Sequence, residues 1–270
     1  MPDDDHSLAF APERDVLAAA VREAGALALE TFRSPLKQWI KGVSSPVCEA
    51  DIAVDQLLRR RLGDAFPAHG WLSEETEDDP NRLEATRVWI VDPIDGTRAY
   101  LAGRDDWCIS VALAAGGRPI VGALYAPVTD EFFLAVAGGG ARRNGIAVSA
   151  STGGEIDGAT LAGPKRILDR IGQSYPNTVQ MPRIGALALR LARVANGDID
   201  VAIAGGSSHD WDLAAADLLV HEAGGLLTDF DGEQPVYNRP DPVHRPLIAA
   251  GRERHTAMLD LARERGLQLA

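Results

Sequence analysis

The stretch "WIVDPIDGTRAYL", residues 89–101, decides how this sequence is interpreted. Its apolar first residues predict a β-strand, and the strand leads directly into two carboxylates, Asp92 and Asp95. Two like charges this close in a half-buried place would cost several kcal/mol if nothing paired with them. We therefore expect a positive charge between the two carboxylates.

The residues around the two carboxylates allow them to converge. Pro93 fixes the local φ angle and Gly96 permits a tight turn, so both carboxylates and the carbonyl of Ile94 can face one point. Hard cations such as Mg²⁺ prefer oxygen ligands of this kind. The simpler alternative is a loop in which Asp-Pro and Asp-Gly only form turns.

Three other acidic segments are candidates for the same site, and each has a simpler explanation. In "LSEETEDDP", Glu74 and Glu75 follow an apolar lead-in that resembles the end of an edge strand, although an acidic run is usually a solvated loop. In "HDWDLAAADLLVHEAGG", Asp210 or Asp212 introduces a long helix that ends at two glycines, and an N-cap is the alternative role. In "VCEADIAVD", Asp51 lies at a helix start, either as a cap or as the partner of a hydroxyl.

Gly96 and Thr97 have a second predicted use. They begin the segment "TRAYLAG", and if a helix starts there, its free N–H groups and its dipole would hold a phosphate beside the metal. The hydroxyl of Thr97 is also the candidate partner for Asp51.

The order of predicted elements indicates a mixed α and β protein. Two amphipathic helices, over residues 12–33 and 48–66, precede the first part of the sheet. Residues 87–145 are rich in strands separated by Gly or Pro turns, which predicts an antiparallel meander. A surface helix is expected over residues 252–268.

The character of the sequence changes at about residue 149. From there, short apolar strands alternate with helical stretches, which is typical of an α/β layer. We therefore predict an α+β sub-domain over residues 1–148 that contains most of the metal ligands. The α/β sub-domain over residues 149–270 would supply Asp212.

Composition excludes several classes of protein. The 270 residues carry a net charge of −12, which argues against a nucleic-acid polymer as partner because backbone binding needs clustered Lys and Arg. Neither Cys48 nor Cys108 lies in a zinc-binding pattern. No apolar run approaches the length of a membrane span, and the acidic N-terminus is unlike a secretory signal. We expect a cytoplasmic monomer or homodimer that makes no membrane contact.

The segments "SEET", "WIVDPIDGTRAY" and "HDWDLAAADLLVHEAGG", in this order and at these separations, resemble the inositol monophosphatase superfamily. Its members are magnesium-dependent, lithium-sensitive phosphatases, and the resemblance covers almost the whole chain. It implies the layered αβαβα sugar-phosphatase fold. It also implies two or three Mg²⁺ ions and a small phosphorylated metabolite as substrate.

The resemblance assigns the acidic residues to two metal ions. The ligands of the first ion would be Glu74, Asp92 and the Ile94 carbonyl, and those of the second would be Asp92, Asp95 and Asp212. Asp95 and Asp212 would also contact the substrate.

The resemblance also implies the catalytic groups. Asp51 and Thr97, together with Glu74, would position and deprotonate the attacking water. The backbone amides of Gly96 and Thr97 would receive the phosphate.

The predicted substrate depends on a departure from the family pattern. Inositol monophosphatases carry a Glu seven residues before the WD aspartate, where it hydrogen-bonds inositol hydroxyls, and here that position is Gly205. The segments "SSPVCEADIAVD" and "GALYAPVTDEFF" are more similar to bacterial 3'(2'),5'-bisphosphate nucleotidases, although Cys48 replaces a usual Thr.

The expected reaction is therefore hydrolysis of 3'-phosphoadenosine 5'-phosphate, a by-product of sulfate assimilation, to AMP and phosphate. An inositol 1-phosphate or sugar-phosphate phosphatase is the alternative. A catalytically silent regulatory protein is the least favoured reading, because all the expected site residues are present.

Overall fold

Two helices open the fold, as their amphipathic patterns predict. The computed structural model describes residues 10–41 and 45–266, and it places α1 at Ala11–Thr31 and α2 at Glu49–Ala65. Apolar side chains of both helices are fully buried at three-and-four spacing and pack on the same sheet.

A short hairpin separates the two helices. Strands β1 (Gln38–Lys41) and β2 (Ser45–Cys48) pair antiparallel, where the sequence indicated only a turn-rich segment. The sequence did not indicate the strand because β1 is exposed along its whole length. An exposed strand has no buried face, so its sequence shows no apolar alternation.

A seven-stranded sheet follows the helices. Its strands are β3 (Gly70–Ser73), β4 (Arg87–Asp95), β5 (Cys108–Ala115), β6 (Arg118–Ala126), β7 (Glu131–Val136), β8 (Ala141–Arg143) and β9 (Ile146–Val148). They lie in chain order, β3 is a parallel edge strand beside β4, and β4 to β9 form the predicted antiparallel meander. A 3₁₀ turn (Pro80–Leu83) precedes β4, and a short helix, α3 (Thr97–Leu101), follows it.

The second half of the chain alternates strands and helices, as predicted. Its elements are β10 (Thr160–Ala162), α4 (Lys165–Ser174), β11 (Val179–Gln180), α5 (Leu187–Ala195), β12 (Val201–Ala204), β13 (Ser208–His209), α6 (Asp210–Glu222), β14 (Gly225–Asp229), β15 (Val243–His244), β16 (Leu247–Gly251) and α7 (Arg252–Arg265). Five of these strands form a mixed sheet in the order β11-β10-β12-β16-β14, and β13 pairs with β15. The predicted C-terminal helix is present, but its last residues lie outside the described chain.

The elements stack as helix, sheet, helix, sheet, helix. The first helix layer, α1 and α2, packs on one face of the seven-stranded sheet. Helices α5 and α6 lie between the two sheets, and α4 and α7 cover the outer face of the second sheet. The layered αβαβα architecture expected from the sequence is therefore present.

Small residues let the central helix approach the first sheet closely. A Cβ at Gly122 of β6 would lie 3.1 Å from the Ala215 carbonyl oxygen and 3.2 Å from its Cα, so a larger residue would push α6 away. This contact brings the start of α6 to the edge of the sheet where β4 ends. Strands of the first sheet end at Val148 and those of the second begin at Thr160, and we propose that the predicted sub-domain boundary lies between them.

Candidate active site

An irregularity in β4 brings its two carboxylates together. Asp92 pairs with Ser110 of β5 and Asp95 pairs with Cys108, so three steps on β4 oppose two on β5. In a regular strand, residues three apart point to opposite faces, and the bulge removes this alternation. Pro93 is tolerated at the bulge because it has no N–H to donate. Asp92 and Asp95 are both buried, with 1% and 6% of their surface exposed.

Asp212, the third residue of α6, lies beside Asp92 and Asp95. One of its oxygens, Oδ2, accepts a hydrogen bond from the backbone N–H of His209 at 2.6 Å. Oxygen atoms of Asp92, Asp95 and Asp212 lie within 4.8 Å of one another. The cap and the site were alternatives for this residue in the sequence, and the structure places Asp212 so that it serves the cap while it faces the other two carboxylates.

Asp210 points away from this cluster. It is fully buried, and its oxygens accept hydrogen bonds from the backbone N–H of Asn238 at 2.7 Å and contact Nε2 of His244 at 2.6 Å. Of the two acidic residues at the start of α6, only Asp212 lines the cleft.

Asp51 holds the equivalent position in α2. Its Oδ2 accepts hydrogen bonds from both the N–H and the thiol of Cys48, each at 2.8 Å. Its Oδ1 lies 3.2 Å from Oγ1 of Thr97, and this hydroxyl is also 3.1 Å from the carbonyl oxygen of Ile94. The predicted pairing of Asp51 with Thr97 is thus present. Burial and the charge of Asp51 raise the pKa of Cys48 to about 12, so its thiol is a donor at neutral pH.

Glu74 and Glu75 have different surroundings in the structure. Glu74 lines the cleft with the other carboxylates. Glu75 points to Lys41, whose Nζ lies 3.5 Å from its Oε2, while the same Nζ donates to the backbone carbonyl of Glu74. Lys41 therefore holds the segment that presents Glu74.

The first turn of α5 supports Asp95, a contact that the sequence did not reveal. The backbone N–H of Ala188 donates to Oδ2 of Asp95 at 2.5 Å. The N-cap residue of this helix, Ala186, has no side-chain acceptor of its own, so the free N–H groups of the first turn need an acceptor from another segment. The only signal in the sequence was the lack of a capping residue at the start of α5, and this signal does not identify the residue that accepts the hydrogen bond.

The cluster carries more negative charge than the protein itself compensates. Burial, together with the charges of Asp212 and Glu75, raises the pKa of Glu74 to about 8. Burial raises the pKa of Asp95 and of Asp212 to about 7, and the charge of Asp95 contributes to the shift of Asp212. Among the described residues, the buried Oδ1 of Asp92 has no hydrogen-bond partner. An orphaned oxygen amid carboxylates of raised pKa fits an oxygen-preferring cation such as Mg²⁺.

Gly96 turns the chain from β4 into α3. Its φ angle is +91°, in the left-handed region, and a Cβ there would lie 3.1 Å from the Ala186 backbone nitrogen and 3.3 Å from the Asp106 carbonyl. Both the conformation and the space therefore require glycine. The cleft that results has a volume of about 490 Å³ and is lined by Pro46, Glu74, Asp92, Ile94, Asp95, Gly96, Thr97, Arg98, Ala99, Arg104, Arg183, Gly185 and Asp212.

Gly205 follows β12 in the loop that leads to α6. Its carbonyl accepts a hydrogen bond from the Ser208 hydroxyl at 3.2 Å, and a Cβ built on Gly205 would meet nothing within 4 Å. The position thus offers open space and no side-chain acceptor.

In the described part of the chain, no helix is long and apolar enough to cross a membrane.

Relatives of known family share this sequence over most of their length. The profile of the inositol monophosphatase family matches residues 11–266. Inositol monophosphatase 2 of Solanum lycopersicum is 33% identical over 233 residues, which cover 82% of this chain and 88% of the relative. The Nus factor SuhB of Escherichia coli K12 is 31% identical over 235 residues, which cover 82% and 86%.

Solved structures agree with the sequence matches. The extragenic suppressor protein SuhB of Bartonella henselae superposes with a TM-score of 0.83 at 28% identity, over 94% of this chain and 98% of that chain. The IMPase of Thermotoga maritima gives a TM-score of 0.80 at 25% identity, over 93% and 96%. On these matches and the shared fold, the chain belongs to the inositol monophosphatase family and is a phosphatase of that family.

Proposed function

We propose that the protein is a Mg²⁺-dependent phosphomonoesterase that hydrolyses 3'-phosphoadenosine 5'-phosphate to AMP and phosphate. One observation supports a metal-dependent reaction. Asp92 has a buried oxygen with no hydrogen-bond partner among the described residues, and one carboxylate oxygen from each of Asp92, Asp95 and Asp212 lies within 4.8 Å of the other two. Bound cations would offset the negative charge of these carboxylates at neutral pH.

The cleft residues divide between two Mg²⁺ sites in this proposal. Glu74, Asp92 and the Ile94 carbonyl would hold one ion, and Asp92, Asp95 and Asp212 would hold a second. When bound, Mg²⁺ would neutralise the phosphoryl oxygens and lower the pKa of a water molecule. The N–H of Ala188 helps to fix the orientation of Asp95.

Asp51, Thr97 and Glu74 would handle the proton of the attacking water. When the Thr97 hydroxyl donates to Asp51, its oxygen is free to accept a hydrogen bond from water. The proton can then pass through the hydroxyl to the Asp51 carboxylate. Cys48 keeps this carboxylate in place through its N–H and thiol.

The turn at Gly96 would receive the phosphate. The amides of Gly96 and Thr97 lie where β4 ends and α3 begins, on the same cleft as the carboxylates. Positive amide dipoles and cations would then share the phosphoryl charge.

The glycine at position 205, where the family pattern has a glutamate, supports a nucleotide rather than a polyol. An inositol hydroxyl that meets no acceptor there would lose a hydrogen bond, whereas a nucleoside does not need one at this position. Inositol 1-phosphate, or a sugar phosphate, is the second candidate, because relatives at 33% identity are named inositol monophosphatases.

The test is phosphate release from 3'-phosphoadenosine 5'-phosphate and from inositol 1-phosphate, side by side, with Mg²⁺ and with EDTA. We expect the nucleotide to be preferred by about 100-fold, or roughly 2.7 kcal/mol in transition-state stabilisation. A preference for inositol phosphate would reassign the substrate. Activity that survives EDTA would refute the metal requirement, and no release from any phosphomonoester would favour a silent regulatory protein.

Lithium inhibition, a role in sulfate assimilation, a cytoplasmic location and a monomeric or homodimeric state stay predictions from the sequence. LiCl titration of the Mg²⁺-dependent turnover checks the first of these. Strong inhibition at low lithium is expected, and indifference to lithium would count against the nucleotidase assignment.

A further inference from the structure

One wall of the cleft is basic, although the chain as a whole carries a net charge of −12. Arg98, Arg104 and Arg183 line the same cleft as the carboxylates. A single phosphate held at the turn and by cations has no need for three guanidinium groups. Their presence therefore calls for a separate explanation.

Asp106 fixes two parts of this wall. Its Oδ1 accepts a hydrogen bond from Nε of Arg104 at 2.9 Å, and its Oδ2 accepts the N–H of Gly185. Its backbone carbonyl accepts the N–H of Ala186 at 3.0 Å. The loop that carries Arg183 is thus tied to the residue that orients Arg104, so the two guanidinium groups are held on one wall.

Arg183 has no protein partner among the described residues. Its side chain is exposed, and it makes no hydrogen bond or ion pair with any residue that the structure describes. Arg104, by contrast, shares its guanidinium with Asp106. Arg183, exposed and without a protein partner, can therefore receive an anion without first breaking a protein contact, whereas Arg104 is already bonded to both oxygens of Asp106.

The cleft continues past these residues. Arg104 and Arg183 also line an adjoining depression of about 580 Å³, where Arg33 and Arg193 lie. Arg33 is paired with Asp105 and Arg193 with Glu131, so these two are already neutralised. The place for an additional anion is therefore the junction of the two spaces, where Arg183 has no partner among the described residues and Arg104 lies on the same wall.

We propose that Arg183, with Arg104 and Arg98, binds a second phosphate group of the substrate, away from the phosphate that is hydrolysed. The protein would therefore select bisphosphorylated metabolites over the corresponding monophosphates. This inference rests on the proposed phosphatase function and deepens it. It names the substrate class by its charge and does not depend on whether the organic part is a nucleoside or a polyol.

The test uses substrate pairs that differ only in the second phosphate. Adenosine 3'-phosphate is compared with 3'-phosphoadenosine 5'-phosphate, and inositol 1-phosphate with inositol 1,4-bisphosphate. In the wild type we expect the bisphosphate of the accepted pair to have the lower KM by at least about tenfold. In Arg183→Gln, kcat/KM for the bisphosphate should fall at least tenfold through KM, while the monophosphate changes less than twofold.

Two further variants separate a binding role from a structural one. Arg183→Lys keeps the charge and should recover part of the bisphosphate preference. Arg142→Gln removes an exposed arginine of β8 whose guanidinium bonds only the Gly145 carbonyl among the described residues, and it should leave both members of each pair unchanged. Equal effects of Arg183→Gln on bisphosphate and monophosphate, or no effect on either, would overturn the inference.

A binding measurement covers the case in which neither pair is hydrolysed. Calorimetry with Ca²⁺ in place of Mg²⁺ compares the affinities of 3'-phosphoadenosine 5'-phosphate and adenosine 3'-phosphate. Tighter binding of the bisphosphate that is lost in Arg183→Gln supports the second-phosphate site even if the proposed reaction is wrong. Equal affinities refute the site whether or not turnover occurs.

Discussion

The acidic and basic walls of the cleft are built differently. Asp92, Asp95 and Asp212 lie beside one another with raised pKa values, and one buried oxygen of Asp92 lacks a hydrogen-bond partner among the described residues. On the basic wall, Arg104 is held by Asp106, and of its three arginines only Arg183 has no partner within the described part of the chain. The charge of the acidic wall has to be offset by protons or by cations from solution, whereas most of the charge on the basic wall is paired within the protein. The first wall therefore suits catalysis by cations, and the second suits recognition.

The largest effect should come from removing a carboxylate of the acidic wall. In Asp95→Asn, a charge and a proposed metal ligand are lost while the side-chain volume is kept, so kcat should fall at least about 10³-fold, or roughly 4 kcal/mol. Steady-state phosphate release at saturating Mg²⁺ measures it. Asp260→Asn, an exposed surface change on α7, is the control and should keep full activity. Unchanged turnover in Asp95→Asn would show that the metal assignment is wrong.

A smaller loss should follow from disturbing the support of Asp51. Cys48→Ala removes the thiol donor but leaves the backbone N–H, so kcat should fall about 20-fold, as is common when a contact behind a functional group is lost. Cys48→Ser retains a donor and should stay within about threefold of the wild type. The pair of variants is compared by kcat at constant pH. Equal activities of the Ala and Ser variants would mean that the thiol hydrogen bond has no catalytic role.

A change at Gly205 adds an acceptor without removing a group. A Cβ built there meets nothing within 4 Å, and the backbone is not in the left-handed region. We expect Gly205→Glu to raise kcat/KM for inositol 1-phosphate about fivefold, roughly the value of one hydrogen bond, and to leave the nucleotide unchanged. Gly205→Gln is the uncharged control. No gain on inositol phosphate would count against a polyol-binding role for this position.

The smallest effect concerns stability and pH. Without cations, the pKa values of Glu74, Asp95 and Asp212, at about 8, 7 and 7, exceed those of the unfolded chain, so the folded protein holds more protons between about pH 4 and pH 8. Their stabilising contribution is fully present below about pH 4 and is lost as the pH rises through the folded pKa values.

Mg²⁺ should reverse this trend because it replaces the protons. The increase in Tm on adding Mg²⁺ to protein in EDTA should therefore be larger near pH 8 than near pH 5.5, by a few degrees. Thermal unfolding at both pH values measures the difference. An increase that is independent of pH would mean that cations do not compete with protons at these carboxylates.

Sequence periodicity was sufficient for most of the fold. The opening helices, the meander and the α/β alternation follow from apolar spacing and from Gly and Pro turns, and the structure confirms them. The β1–β2 hairpin and α4 were missed. The hairpin has an exposed strand with no apolar alternation, and α4 (Lys165–Ser174) is short, polar on one side and begins without a side-chain cap.

The site residues that belong to a local sequence motif could be predicted from the sequence. Asp92, Asp95 and Gly96 lie within five consecutive residues at the end of β4, and Asp51 and Asp212 lie in the first turns of helices, so each position shows a local signal. Contacts between distant segments leave no such signal. The N–H of Ala188 on Asp95 and the link from Asp106 to the Arg183 loop depend on how the second half of the chain packs against the first.

The position of α6 has a consequence for how the molecule folds. This helix belongs to the second half of the chain, yet it buries the β5 and β6 face of the first sheet. A chain shortened to end before α6 would complete the meander but leave an apolar sheet face in water, and such a species is prone to aggregate. The site would therefore form late, when segments more than a hundred residues apart meet, and folding speed should be limited by this long-range closure.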